Sequence, residues 1–589
     1  MIVGMAGKQI KTGNRAPAQG HGAELGLSYA YTGSEQPLIG ETIGHMFERI
    51  ARTYPENEAL VYLPTGVRYT YREFHEICRA AAKSFIAMGV RKGDRVAVWA
   101  TNHPEWVIAQ FSTALVGAIL VTVNPAYKTH ELEYGLKNAE VQTLILIPRF
   151  KSSEYAQMIN QLAPELKDSK PGELNARAFP QLKTVIMIGS ERHPGTLSWA
   201  DFMKKGEHVS DGELAERLND CDFDDVINVQ YTSGTTGLPK GASLTHHNIL
   251  NNAFFVAETM HLTDKDRLCI PVPLYHCFGM VLSSLLSVTH GATMVFPSEY
   301  YDPLLVLEAV EKERCTALHG VPTMFIAELE HPDFKKFDLT SLRTGVMAGA
   351  PCPIELMKRV NDAMHLSEIT IGYGETEASP IVTQTLARDT LERRTETVGP
   401  AIPHTELKVV DPATGKTVPV GEQGEICARG YQIMRGYYNN EKATKEAVDE
   451  AGWLHTGDIG LMREDGAFKI TGRIKDMIIR GGENIYPREI EEFLYTNPKI
   501  RDAQVIGVPD RKMGEEICVW IQLREGESST EEEIKEWCKG RIAHYKIPRY
   551  VKFVTEFPMT VTGKIQKFKM REISIRELGL EDVAKIKMA

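Results

Sequence analysis

Residues Tyr231–Gly241 read YTSGTTGLPKG, and this string organises the reading of the whole chain. It follows Val226–Gln230 (VINVQ), whose β-branched, alternating pattern predicts a strand. Small hydroxyl residues and glycines at Thr232, Ser233, Gly234, Thr235 and Thr236 let a backbone approach a polyphosphate closely. Their N–H and O–H groups can donate to its oxygens, and Lys240 adds a positive charge. The template G-x-x-x-x-G-K-[ST] fails, because Pro239 stands five residues after Gly234. The bland alternative is a surface turn rich in Ser, Thr and Gly. The length of the string and the strand before it favour a nucleotide loop of another kind.

Outward from this loop, short apolar runs alternate with helical patterns. Arg95–Ala100, Val141–Ile147, Thr184–Gly189 and Ala292–Pro297 read as buried strands, and Tyr71–Met88 places apolar residues at helical spacing. Such alternation predicts α/β layers with mostly parallel sheets. Past about residue 400, ELKVVD, GEICARG and GAFKITG are separated by Gly-containing turns and predict an antiparallel β subdomain. From Asp476 onward strands and helices mix again, which sets a boundary at Arg473–Asp476. The division expected is a flexible leader over 1–35, a large domain over 36–474 and a small α+β domain over 475–589.

The 589 residues exceed what one core of about 250–300 residues organises, so two or more domains are required. A net charge of −11 argues against nucleic acid as the main partner, since phosphate backbones demand basic surface. Nine scattered cysteines include no C-x-x-C pair, which excludes a local zinc ribbon and suits a reducing compartment. Lys8, Lys11 and Arg15 precede the first acid, Glu24, as in a transit peptide, but Ser is absent there. The cytoplasm is therefore expected, with the mitochondrial matrix as the alternative. Trp106–Tyr127 and Leu268–Ser298 lack charge. Gly117 divides the first into a buried helix and a strand over Ala118–Val123. Pro271, Pro273 and Gly291 break the second, so neither reads as a membrane span.

Further motifs follow in order: PLYHCFG (Pro273–Gly279), MAGAP (Met347–Pro351), GYGETE (Gly372–Glu377), HTGD (His455–Asp458), RIKDMIIRGGENIYP (Arg473–Pro487) and PMTVTGK (Pro558–Lys564). Alone, most would be ordinary turns. Together with the loop they resemble the superfamily of acyl-CoA synthetases, peptide-synthetase adenylation domains and firefly-type luciferases, over about Gly40 to Lys564. The resemblance implies two stacked α/β subdomains plus a β subdomain, with a small mobile α+β C-terminal domain.

Carried over, the resemblance places Tyr373, with Gly374, against adenine, Thr376 at the α-phosphate and Glu377 on Mg²⁺. A single carboxylate beside phosphates suits that ion. Gly349, Ala350 and Pro351 would line adenine and substrate, and Asp458 and Arg473 would hold the ribose. A carboxylate accepting two hydrogen bonds fits a vicinal diol. Lys564 would stabilise charge at the α-phosphate, and Lys475 would be the hinge of the small domain. Gly481 and Gly482 would leave room for a pantetheine arm, and His276 would line the acyl pocket. His246 and His247 are left structural. A patch near Arg473, Arg480 or Lys512 is one option for the adenine of coenzyme A.

The resemblance implies conversion of ATP and a carboxylic acid to acyl-AMP, followed by transfer to coenzyme A. PLYHCFG, AGAPCP, SYAYTGSEQPLIGETIG and the overall length point to the medium- and long-chain fatty acyl branch. An aryl-acid ligase, a ligase loading a carrier protein and a non-catalytic nucleotide-binding regulator stay open. So does a homodimer. No Ser-His-Asp motif supports a hydrolase.

Overall fold

The computed structural model of the chain describes residues 26–232, 239–350, 352–481, 483–560 and 565–584. Its architecture is mixed α/β, a large N-terminal region followed by a smaller C-terminal one. The first eight-stranded sheet runs in the order Gly436–Tyr437, Lys240–Thr245, Val226–Thr232, Ile119–Thr122, Arg95–Trp99, Thr143–Leu146, Thr184–Met187 and Leu197–Ser198. From Val226–Thr232 to Leu197–Ser198 its pairs are parallel, and the strands at Lys240 and Gly436 add antiparallel edges. The second sheet is built alike, with Glu368–Gly374, Thr344–Met347, Ala317–Leu318, Arg267–Cys269, Thr293–Phe296 and Glu58–Tyr62 in parallel. Ile381–Gln384 and Val67–Thr70 close its edges antiparallel.

Between these sheets lie helices that are buried on nearly every face. Pro104–Val116 is buried at every position but Glu105, begins on proline and ends at Gly117 with φ +71°. The strand Ile119–Thr122 follows, so the expected helix-then-strand reading of this uncharged stretch holds. His246–Thr259 is capped by Thr245 and Asn248 acting reciprocally. His246 is fully buried there and its Nδ1 accepts from the Ile43 N–H at 3.1 Å, the structural role expected of it. A single apolar core joins both sheets through these helices. No helix among the described residues is long and apolar enough to cross a membrane.

The third sheet is antiparallel, in the order Tyr29–Thr32, Thr405–Val410, Gly424–Gly430, Leu454–Met462 and Phe468–Arg473. Its first strand corrects one expectation. Residues 29–32 fall within the leader assigned to 1–35, yet they pair along Thr405–Lys408, and the Ser28 N–H donates to Val418 O at 2.8 Å. An edge left open by Thr405–Val410 recruits them. Residues 1–25 lie outside the described residues.

The fourth sheet, in the C-terminal region, orders Glu483–Ile485, Ile478–Arg480, Gly514–Leu523 and Ile500–Asp510, with Tyr550–Phe553 parallel to Gly514–Leu523. It has its own apolar core. Between the last strand of the third sheet and the first of the fourth stands one 3₁₀ turn, Ile474–Asp476, closed by the Met477 N–H on Arg473 O at 3.0 Å. Arg501 of this region pairs with Glu330 of the large one at 2.7 Å, and both side chains are partly exposed.

Candidate active site

The hairpin formed by Val226–Thr232 and Lys240–Thr245 carries Thr232 and Lys240 opposite each other. Next to it, the short strand Gly436–Tyr437 sets Tyr437 across from Ala242. Gly436 also lies tightly against the helix Glu441–Ala447, since a Cβ there would meet Thr444 Cγ2 at 2.9 Å. From the second sheet, Glu368–Gly374 arrives with a register shift between Tyr373 and Gly374. At Gly374 a Cβ would sit 1.9 Å from Pro380 O, so glycine alone lets the chain turn into Thr376–Ala378. That turn delivers Glu377, whose carbonyl accepts from the Met434 N–H at 2.8 Å.

The three strands meet on one carboxylate. Glu377 is buried, and its Oε1 accepts from the Tyr437 hydroxyl at 2.7 Å and from Thr232 Oγ1 at 3.3 Å. The Lys240 ammonium lies over the Tyr437 ring, 4.9 Å from its centroid. Burial first, and Glu377 after it, push the Tyr437 phenol well above its ordinary range, which keeps it a neutral donor.

A second carboxylate, on the third sheet, meets the strand that leads into this turn. Asp458 is 4% exposed and directly opposite Arg473 in the third sheet. Its Oδ1 receives Arg473 Nε at 2.8 Å, and its Oδ2 receives the Tyr373 hydroxyl at 2.9 Å. The Asp458 charge raises the Arg473 guanidinium, and desolvation followed by Asp458 pushes the half-buried Tyr373 phenol well up. A carboxylate held in this way, with more than one lone pair on each oxygen, is chemically suited to a vicinal diol. The strand bulge before Asp458 is held by Glu425. Its Oε2 meets His455 Nδ1 at 2.8 Å, and its Oε1 accepts from the Gly457 N–H at 3.0 Å. Thr456 Oγ1 donates to Ile426 O at 2.7 Å and accepts from the Asp458 N–H at 3.1 Å.

The structure thus brings together Thr232, Lys240, Tyr373, Gly374, Thr376, Glu377, Asp458 and Arg473. Gly349 and Ala350 follow the end of Thr344–Met347 on the neighbouring parallel strand, Gly349 at φ +82°. Other expected residues have local settings of their own. His276 is exposed, and its Nδ1 accepts from the Phe278 N–H at 3.2 Å, capping its own short helix. Gly481 lies in the fourth sheet's region with φ +61°, its N–H on Met513 O at 2.7 Å. Lys475 is exposed within the 3₁₀ turn. Arg480 donates to both oxygens of Glu516 at 2.7 and 3.1 Å, and Arg473 is taken by Asp458, which argues against a free basic patch at these two positions. Ser233, Gly234, Thr235, Thr236, Pro351, Gly482 and Lys564 lie outside the described residues. Tyr437 and Glu425 escaped the sequence reading, because neither a tyrosine after glycine nor a strand glutamate carries a local signal of what it faces.

Residues 47–438 match the family model described as AMP-binding enzyme, and residues 489–564 match the AMP-binding enzyme C-terminal domain. The chain belongs to the AMP-binding enzyme family. It is 54% identical over 543 residues to YngI of Bacillus subtilis (strain 168), which carries an acyl-CoA synthetase name; the match covers 92% of this chain and 99% of that one. It is 46% identical over 558 residues to the mitochondrial medium-chain acyl-CoA ligase ACSF2 of Danio rerio, covering 94% and 92%. Among solved structures, the anthranilate CoA ligase AuaEII in complex with anthranoyl-AMP superposes with a TM-score of 0.81 at 28% identity, over 92% of this chain and 99% of that one. The enzyme is an AMP-forming acid–thiol ligase: it activates a carboxylic acid as the acyl-AMP and passes the acyl group to coenzyme A.

Proposed function

We propose that the acid is a medium- or long-chain fatty acid. The identity to a medium-chain ligase over nearly the whole chain supports this reading. So does the likeness to a Mycobacterium tuberculosis fatty acyl CoA synthetase, with a TM-score of 0.68 at 28% identity. The anthranilate ligase favours a second reading, an aryl acid. In either case the observation that carries the mechanism is the pair of buried carboxylates beside the phosphate hairpin, Glu377 meeting Thr232 and Asp458 accepting from Tyr373.

In this mechanism Asp458 accepts the two ribose hydroxyls while Arg473 and Tyr373 fix its orientation. Thr232 to Thr236 and Lys240 receive the phosphates, and Thr376 binds the α-phosphate. Gly349, Ala350 and Pro351 border the adenine with the Tyr373 ring. Glu377 is suited to Mg²⁺, since a buried carboxylate flanked by the Thr232 and Tyr437 hydroxyls lies next to the phosphate site. When bound, the ion would neutralise charge on the phosphates. Lys564 places an ammonium at the α-phosphate as the acid's carboxylate attacks and pyrophosphate leaves.

The small domain, taken as 475–589 against 36–474, turns about Lys475 so that Lys564 serves the first step. Gly481 and Gly482 then serve the second, leaving passage for the pantetheine arm. His276 stands at the mouth of the acyl pocket. A mixed anhydride hydrolyses readily, so one mobile domain covering the site at each stage keeps water out. All nine cysteines are buried free thiols, which supports a reducing compartment, and we take the cytoplasm.

AMP release measured with ATP and Mg²⁺ across straight-chain and aromatic acids, with and without coenzyme A, tests this. Release that needs an eight- to sixteen-carbon acid, a range of about that order being the fatty-acid reading, supports it. Preference for benzoate-type acids moves the assignment to the aryl reading.

A further inference from the structure

Glu425 and Cys427 stand two residues apart on Gly424–Gly430 and so share a face of the third sheet. On the neighbouring strand His455 is paired directly with Cys427. A carboxylate oxygen, the thiol sulfur and the imidazole Nδ1 all lie within 4.8 Å of one another. Glu425 Oε2 is 2.8 Å and Cys427 Sγ 3.5 Å from that nitrogen. Around a tetrahedral zinc ion, with bonds of about 2.3 Å to sulfur and about 2.0–2.1 Å to nitrogen or oxygen, ligand atoms stand about 3.3–3.6 Å apart. The sulfur–nitrogen distance already fits, and the Glu425–His455 contact has to open by only about half an ångström.

Two further features point the same way. His455 Nε2 faces Asp449 Oδ2 at 3.7 Å. A ligating histidine characteristically turns its other nitrogen to a carboxylate, which fixes the tautomer. The His455 side chain is 33% exposed while Glu425 and Cys427 are buried, so the set is open to solvent on one side and can take a water as fourth ligand.

We propose that Glu425, Cys427 and His455 bind a thiophilic divalent cation of the zinc class, and that its binding switches off nucleotide capture. As the metal–sulfur bond forms, the Cys427 thiol gives its proton to solvent. The His455 proton moves from Nδ1 to Nε2, facing Asp449, and no oxidation state changes. The same Glu425 that ligates also holds the Gly457 N–H, and His455 begins the strand bulge that carries Asp458. Ligation removes the Glu425–His455 hydrogen bond and shifts that bulge. The binding half stands by itself, whereas the inhibitory half rests on the ribose role of Asp458.

Cobalt(II) as a spectroscopic stand-in separates the two. Titrated into the full-length enzyme, one equivalent is expected to raise a thiolate-to-cobalt charge-transfer band in the near ultraviolet. Zn²⁺ should abolish the band, and both Cys427→Ala and the near-isosteric Cys427→Ser should lack it while melting as cooperatively as the parent. No band, or a band undiminished in both variants, overturns the site. At fixed free Mg²⁺, Zn²⁺ is expected to inhibit acid-dependent pyrophosphate exchange. Cys427→Ala should need more than about tenfold more Zn²⁺ for the same effect, the lower bound of what losing even an outer partner costs. Equal inhibition of parent and variant overturns the switch. Asp458→Ala should keep the cobalt band in full, so failure of the ribose reading leaves a different signature from failure of the metal site.

Discussion

Replacing Asp458 by alanine tests the ribose assignment where its magnitude can be worked out. Asp458 is 4% exposed, and its oxygens accept from Arg473 at 2.8 Å and from Tyr373 at 2.9 Å. If the two ribose hydroxyls each donate to this carboxylate, the variant loses two hydrogen bonds to a charged group, about 1.5–3 kcal/mol apiece. The low end applies, because the oxygens keep their protein partners when a ribose hydroxyl is absent, and Arg473 is exposed enough to be rehydrated in the variant. About 3 kcal/mol is about 150-fold in kcat/KM for ATP. The decisive comparison uses 2′-deoxy-ATP, which lacks one of the two hydroxyls. The parent enzyme should use it about tenfold less well than ATP in acid-dependent pyrophosphate exchange. The Asp458→Ala enzyme should handle the two nucleotides within about twofold, having no carboxylate left to tell them apart. A variant that still discriminates as the parent does would refute the assignment, however slow it had become.

Three other outcomes are expected. Lys564→Ala should lower adenylation on the order of 10²–10³-fold yet spare thioesterification of supplied acyl-AMP, and equal loss in both half-reactions would remove the assigned role. Lys475→Pro fixes φ within the turn Ile474–Asp476 and should depress coenzyme A transfer more than pyrophosphate exchange; unchanged transfer discards the hinge. His246 and His319 are fully buried, and burial depresses both to about 3, whereas an unfolded imidazole titrates near 6.5. The unfolded chain therefore binds more protons between those values. Stability is fully present above about pH 7 and is lost as pH falls from about 6.5 towards 3, by up to about 1.4 kcal/mol per pH unit for each histidine. The urea midpoint should drop between pH 7.5 and 5.5, and a flat midpoint over that range contradicts this.

Local chemistry made the core of the fold legible. RVAVWA, TVIMIG and ATMVFP are buried on both faces in parallel sheets, so their unbroken apolar runs identify them without any knowledge of their neighbours. Tyr71–Ala87 announces itself through Thr70 and Glu73, a reciprocal cap that lies within four residues of sequence. What stayed hidden depends on partners far along the chain. Tyr29–Thr32 is polar and short, and becomes a strand only because Thr405–Val410, hundreds of residues later, offers an edge. Tyr437 is similar: its role comes from Glu377 and Lys240, which a separate turn and a separate strand deliver. His276 also answers a local demand: its Nδ1 accepts from the Phe278 N–H at the helix terminus beside it, a contact that sequence context does not reveal.

The contact between Arg501 and Glu330 carries a kinetic meaning. Partly exposed ion pairs of this kind contribute about 0–1 kcal/mol, so breaking this one shifts a two-orientation equilibrium by no more than about fivefold. A stout joint would trap the protein in one half of its cycle and make each turnover wait on its rupture. On the proposed rotation about Lys475, a contact this weak adds little to either orientation. The vote would then pass to the occupant of the cleft, so that ATP, acyl-AMP and AMP would each set the posture of the smaller body in turn.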